Sequence, residues 1–455
     1  MPQNKFQTNI PTNYKGQMST RRDFVKTGAT IAAGVSAVSL VPGAVSCANQ
    51  ANNKLVVGAI GINGMGFSDL RAFLREENVE CAAICDVDQN VLKKRMPQIE
   101  EMQGFAPETY GDYQKLLERK DLDAVIIGTP DHWHAKIMID AVKAGKHVYV
   151  EKPMANSIYE AFQMEKAAKK YKRVVQLGQW QRSDPHWNDV FDYVQSGVLG
   201  DIRTVKVWCY ESWLRPPGPV ADGPVPAGVD YDMWLGPAPL RDFNRNRFHF
   251  NFRWFWDYAG GLMTDWGVHL LDMALAGMKA DLPNSAMSAG GKMAFLDSPI
   301  ETPDTQQVIY EFDEFNVIWD HAMGIGNGDW RRDHGLSFIG NNGTLVVDRG
   351  GWEVFPEGSK EKPLVQPVSR IKGTGQGLTL NVQNFIEGIK NKDRNTKANP
   401  TIGRAVAGMA HMGNIALKVG NKVYWDHDKK EFKDNPKANE LMAPVYRDPW
   451  KLPKV

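Results

Sequence analysis

Three glycines fall within six positions in Gly61-Ile62-Asn63-Gly64-Met65-Gly66, between an apolar run at 54–60 and a helical pattern at 67–76. A strand, a glycine turn and a helix, in that order, form the context that a dinucleotide-binding loop requires. Gly61 permits the tight turn, and Gly64 or Asn63 lets backbone approach a pyrophosphate. Met65 lies in the same loop, and Gly66 lets the helix pack closely on the strand. The free N–H groups and positive dipole end of the helix then face the phosphates. Asn63 stands where a middle glycine is usual, so the loop alone is only part of the signal.

A second strand, 80–85, ends at Asp86, twenty positions after Gly66. An acidic residue there accepts hydrogen bonds from the adenosine ribose and repels a 2′-phosphate, which favours NAD over NADP. Asp88 is a weaker candidate for that role. A third strand, 123–127, leads into Gly128-Thr129-Pro130-Asp131-His132-Trp133-His134. This reads as a loop crossing the cofactor, with Thr129, Pro130, His132 and His134 as candidate contacts. A helix at 135–144, stopped by Gly145, precedes a strand ending at Glu151-Lys152-Pro153. Alternating strands and helices predict a parallel sheet. Ligands bind at the carboxyl ends of such strands, so Glu151 is a candidate cofactor contact and Lys152 a candidate for both cofactor and chemistry.

Asp265 and His269 stand four apart in a helical pattern and are predicted to share one face. Histidine is the usual acid/base near neutrality, and a carboxylate one turn away would orient it. The competing reading has Asp265 capping a helix and His269 satisfied in the core. Asp272 lies three further along, but no third ligand has metal spacing, so no metal is expected. Arg253, Trp254 and Tyr258 sit in an aromatic cluster that suits either a sugar site or a buried core or dimer surface. Gln179 and Arg182 follow a strand at 174–177 and are candidates to line the substrate site.

With these motifs, and with Tyr231-Asp232-Met233-Trp234-Leu235-Gly236-Pro237-Ala238-Pro239 and Gly260-Gly261-Leu262-Met263-Thr264-Asp265-Trp266-Gly267-Val268-His269-Leu270-Leu271-Asp272, the sequence resembles the glucose-fructose oxidoreductase / inositol dehydrogenase (Gfo/Idh/MocA) family, in its exported bacterial type, from about residue 54 onward. The resemblance implies an α/β fold: a Rossmann domain, then an α/β domain with a large open, mostly antiparallel sheet. It implies NAD(P)-dependent oxidation or reduction of sugars, inositols and related polyols. By resemblance Lys152, Asp265 and His269 fill the family's lysine and Asp-x-x-x-His positions, although some relatives carry tyrosine where His269 stands.

The first fifty residues read as a targeting segment. Ser19-Thr20-Arg21-Arg22-Asp23-Phe24 and the weakly apolar stretch 28–41 resemble a twin-arginine export signal, which carries folded proteins. Ala44-Val45-Ser46-Cys47 fits either a degenerate lipoprotein box, with a lipid anchor on Cys47, or plain cleavage after a small residue. The domains are therefore expected at 1–50, 51–175 and 176–455. Cys81, Cys85 and Cys209 lack disulfide or zinc spacing and are expected in the core. A net charge of +1 gives no field that argues for nucleic acid.

The expected protein is an exported, periplasmic NAD-dependent sugar or polyol oxidoreductase, a homodimer or homotetramer. Its rivals are a glycosidase of the same family, which transiently oxidises its sugar with bound NAD, and a silent sugar-binding protein. A periplasm supplies little free NAD, which favours a cofactor held between turnovers.

Overall fold

The computed structural model describes residues 54–455. The twin-arginine run, the targeting segment and Cys47 lie outside the described residues.

The first half alternates as the sequence predicts. Strands β1 (Leu55–Ile60), β2 (Val79–Cys85), β3 (Glu108–Tyr110), β4 (Ala124–Ile127), β5 (His147–Val150) and β6 (Val175–Leu177) form one parallel sheet in the order β3-β2-β1-β4-β5-β6. Helices α1 (Gly64–Phe73), α2 (Gln89–Gln103), α3 (Tyr113–Leu117), α4 (Asp131–Lys143) and α5 (Ile158–Tyr171) connect them. The central strand β4 is buried at all four positions, as a sheet covered on both faces requires. Chain order reverses between β1 and β4, so their carboxyl ends open a crevice where ligands bind.

Two helices begin earlier than their apolar patterns suggest. α1 starts at Gly64, so the glycine turn supplies its first turn. α4 starts at Asp131 rather than 135, because Pro130 sets an N-cap with φ −58° and ψ 154° and Asp131 places a carboxylate in the first turn. His132, Trp133 and His134 are therefore helical, and all three are buried.

The second half contributes α6 (Pro185–Gln195), β7 (Ile202–Glu211), α7 (Tyr231–Leu235), α8 (Val268–Met278), β8 (Ser285–Gly291), β9 (Thr305–Glu311) and β10 (Asn316–Met323). It continues with β11 (His334–Gly340), β12 (Gly343–Asp348), β13 (Gly351–Pro356), β14 (Val368–Lys372), α9 (Gly377–Asn391), α10 (Pro400–Val419), β15 (Val423–Asp426) and β16 (Glu431–Phe432). These strands build a ten-stranded sheet, ordered β14-β13-β12-β11-β7-β10-β9-β8-β15-β16, antiparallel except where β7 meets β10. Asn341-Asn342 turns β11 into β12.

The halves interlock. The nucleotide sheet runs through Leu177, and α9 returns from the second half to cover one of its faces: Phe385 packs edge-on against Phe73 at 5.8 Å and Tyr149 at 6.0 Å. The long connection 213–231 is pinned to its own chain, since Gln89 N donates to Gly228 O at 2.9 Å and Asn244 Nδ2 to Val220 O at 2.8 Å. The cysteines at 81, 85 and 209 are free and buried.

Candidate active site

A cavity of about 590 Å³ joins the glycine turn to the helix that carries His269. That volume suits a small-molecule site. Gly61, Asn63, Gly64, Met65, Asp86, Thr129, Pro130, Glu151 and Lys152 line it together with Arg253, Asp265 and His269.

The turn has the shape of a phosphate cradle. Gly61 has φ +76°, and a Cβ there would sit 2.8 Å from Gly128 C and Thr129 N. A Cβ on Gly66 would meet Gly61 O at 2.0 Å, so this glycine permits close packing of helix on strand and does not itself line the cavity. Gly64 has φ +50° with open space around its Cβ position, which leaves backbone bare toward a ligand. Asp86 ends β2, where Oδ2 accepts from Ile62 N at 3.1 Å and Oδ1 from Asp88 N at 3.0 Å. Burial raises its carboxyl to about 6, against those hydrogen bonds. Asp88 is otherwise occupied, since Oδ1 caps α2 through Asn90 N at 2.9 Å and Oδ2 lies 3.1 Å from His249 Nε2.

At the other end Lys152 Nζ donates to Asp265 Oδ1 at 2.7 Å and to Asp265 O at 3.0 Å. Arg253 Nε donates to the same Oδ1 at 3.1 Å. Burial pushes the Asp265 carboxyl up, but Lys152 and Arg253 together hold it well below the usual carboxylate range. Asp265 lies in a π turn, Met263–Gly267, ahead of α8. Such turns recur at functional sites, and this one departs from the regular helix expected there. Among the described residues Asp265 makes no hydrogen bond to His269, so the expectation that it orients the imidazole is corrected: both carboxylate and carbonyl are turned to cations. His269 Nδ1 is buried without a partner among the described residues. Its ring lies near the indoles of Trp180 (5.9 Å) and Trp266 (6.1 Å). Burial, then the charges of Lys152 and Arg349, push its pKa well below 6.5. The ring is neutral at neutral pH and able to accept a proton.

Six of the sequence-derived candidates point elsewhere. His132 Nε2 lies 3.1 Å from Trp234 O, with its ring packed on Trp234 and Tyr258. His134 faces inward, Nδ1 2.7 Å from Pro153 O and Nε2 2.9 Å from Thr129 O, so it braces two cavity-lining loops without entering the cavity. Their place inside α4, rather than in a loop, is the cause. Gln179 is buried away from the cavity. Arg182 Nε donates to Asp272 Oδ1 at 2.7 Å, an ion pair outside the cavity lining that takes both residues from substrate and metal roles. Trp254 and Tyr258 belong to the second-half core. Outside the cavity, His411 Nε2 lies 3.0 Å from Ala155 O.

Sequence reasoning missed His249, Phe250, Phe252, Trp266 and Arg349, all of which line the cavity, as does Trp180. Trp180 stands between two residues that were singled out, and its 3₁₀ turn (Trp180–Ser183) sends the indole, not its neighbours, into the cavity. Arg349 sits in the tight β12–β13 turn and carried no local signal.

Two family models match the chain. One, described as an oxidoreductase family with an NAD-binding Rossmann fold, covers residues 55–179. The other, the C-terminal alpha/beta domain of an oxidoreductase family, covers 191–283 and 374–452. A glycosyl hydrolase family 109 protein of Shewanella baltica (strain OS185) is 31% identical over 201 residues, which is 40% of this chain and 44% of that protein. The chain thus spans under half the length of this curated relative. Levoglucosan dehydrogenase in complex with NADH superposes with a TM-score of 0.61 at 18% identity, over 82% of this chain and 99% of that one. An aldose-aldose oxidoreductase from Caulobacter crescentus, complexed with glycerol, gives 0.62 at 18% identity, over 82% and 99%. At that identity the likeness shows a shared fold.

Proposed function

The chain belongs to the glucose-fructose oxidoreductase / inositol dehydrogenase (Gfo/Idh/MocA) oxidoreductase family and binds NAD, and from that premise we propose that it oxidises a hydroxyl-bearing carbon of a sugar, glycoside or polyol. One observation carries the reading: a single cavity holds the glycine cradle at one end and Lys152, Asp265 and His269 at the other. NAD bound there supplies the two-electron acceptor.

The chain's own residues handle the proton and the charge. His269, neutral and without a partner at Nδ1 among the described residues, takes the proton from the substrate hydroxyl. An ammonium has three N–H donors. Asp265 accepts two from Lys152, which leaves one for the substrate oxygen as negative charge develops on it. Arg253 shares the load on Asp265, keeping that carboxylate ionised and Lys152 fixed.

Redox-assisted glycoside cleavage is the second reading, favoured by the naming of relatives as glycosyl hydrolases. It uses the same residues but returns the electrons to the sugar after elimination. Export is supported by the twin-arginine run and fits a cofactor held between turnovers. Asp86 at the end of β2 supports NAD over NADP.

The test is to purify the protein, quantify bound nucleotide, and offer free sugars and aryl glycosides. Stoichiometric NADH formation supports dehydrogenation. Repeated aglycone release without net NADH supports the glycosidase. Neither response, with nucleotide bound, overturns both.

A further inference from the structure

We infer that Arg349 is the anion-recognising fork at the reacting end of the cavity, and that the sugar bound there carries a carboxylate, as a uronic acid or its glycoside does. This rests on the sugar-oxidation reading above and adds the class of sugar.

Arg349 reaches the cavity from the β12–β13 turn. Its guanidinium lies over the indoles of both Trp180 and Trp266, at 4.7 and 4.3 Å from the ring centroids. Nε donates to Gln181 Oε1 at 3.0 Å. Stacking leaves hydrogen bonding to the in-plane N–H groups. With Nε engaged, the unfilled donors are those on the two Nη atoms, a fork that matches the paired oxygens of a carboxylate.

The same two indoles border His269, at 5.9 and 6.1 Å, so the fork opens beside the acid/base residue and not at the adenosine end. Two other cavity-lining cations, Lys152 and Arg253, already pair with a carboxylate, that of Asp265. Among the described residues Arg349 forms no ion pair. Its nearby carboxylates are engaged as well: Glu211 accepts from Trp213 Nε1, and Asp333 Oδ1 accepts from His334 N at 2.9 Å. Burial lowers Arg349 to about 10, against the pull of Glu211, Asp265 and Asp333, so it stays charged at neutral pH. A partly buried cation with open donors is costly, and a substrate carboxylate offsets that cost. A neutral sugar offers hydroxyls but no charge.

The test uses the NAD-loaded protein and matched pairs, methyl β-D-glucuronoside against methyl β-D-glucoside and the corresponding galacto pair. Each is titrated by calorimetry and followed by nicotinamide absorbance in a single turnover. The wild type should favour the acid of one pair by about tenfold or more in affinity, the scale of hydrogen bonds to a charged group. In Arg349→Gln the acid-to-neutral ratio should collapse toward one. Arg349→Lys keeps charge but loses the fork and should fall between; it serves also if the glutamine variant fails to fold. Neutral sugars bound and oxidised as well as acids, or an unchanged ratio in Arg349→Gln, overturn the inference alone. Binding of none of the four overturns the sugar reading with it.

Discussion

Lys152 and Asp265 are joined twice, through the carboxylate at 2.7 Å and through the main-chain carbonyl at 3.0 Å. The second bond ties the ammonium to backbone, so its position survives side-chain motion of Asp265. A catalytic donor held in this way is already organised before charge develops. Lys152→Ala should slow single-turnover reduction of bound NAD by about 10²-fold or more while nucleotide stays bound. Rapid-mixing absorbance with a saturating sugar measures it, and an unchanged rate removes Lys152 from the chemistry.

His269 makes a directional prediction about pH. Burial first, then Lys152 and Arg349, depress its pKa, while Asp265 pulls the other way. The base must be neutral to accept a proton, so the oxidation rate falls as pH falls through the depressed value. The acid limb should lie below the ordinary histidine value of about 6.5. His269→Asn should remove that limb and slow the reaction by about 10²- to 10⁴-fold. A limb near 7 that survives the substitution points to Glu151, whose carboxyl burial raises to about 7 against the Lys152 charge.

Arg182 is a structural residue here. It pairs with Asp272, which is 1% exposed and whose carboxyl burial raises against Arg182. Arg182→Leu leaves that carboxylate unpaired and should cost about 3–5 kcal/mol. Without its cation Asp272 titrates higher still, so the loss grows as pH rises and shrinks in acid. Denaturant unfolding at two pH values reads this, and Arg182→Leu with Asp272→Asn should recover much of the stability. A variant of full stability but weakened sugar binding would return Arg182 to the substrate site.

Asp86 sets the nucleotide. Asp86→Ser removes the charge that repels a 2′-phosphate and should shift the NADP-to-NAD affinity ratio upward by about tenfold or more. Titration of nucleotide-stripped protein measures the ratio. If it does not move, discrimination lies elsewhere, and Asp88 is the neighbouring carboxylate to change next.

The parts of this site that were legible in sequence are those whose geometry is local. The turn at Gly61 and Gly66 is dictated by backbone contacts within a few residues and with Gly128. Lys152 was legible because a strand end fixes where its side chain emerges. His132 and His134 misled because helix α4 starts at Asp131, and a helix sends successive side chains to different faces where a loop need not. Asp265 lines the cavity but is paired otherwise than spacing suggests: spacing points to His269, whereas a π turn and two cations claim it. Arg349 was invisible because a tight turn at the end of β12 has no periodicity of its own. Only the long-range pairing of β11 with β7 and of β12 with β11 carries it to the cavity. In the fold, β7 lies at the middle of the large sheet between β10 and β11, a position that only long-range pairing sets.

His249 closes the cofactor end from the second half of the chain. Its Nε2 lies 3.1 Å from Asp88 Oδ2 and its Nδ1 3.4 Å from Asn63 Nδ2, so it touches the glycine turn and the residue that caps α2. Phe248 and Phe250 flank it on the cavity wall. A dinucleotide seated on the turn would lie against this segment. His249→Ala removes the contact to a buried carboxylate and should speed nucleotide release by about tenfold, on the scale of one hydrogen bond to a charged group. Because His249 is distant in role from His269 and Lys152, the single-turnover rate of protein still carrying nucleotide should change far less than the release rate. Release is followed by filtration against a nucleotide scavenger. Equal half-times for wild type and variant would mean that the segment does not retain the cofactor, and retention would then rest on the glycine turn and Asp86 alone.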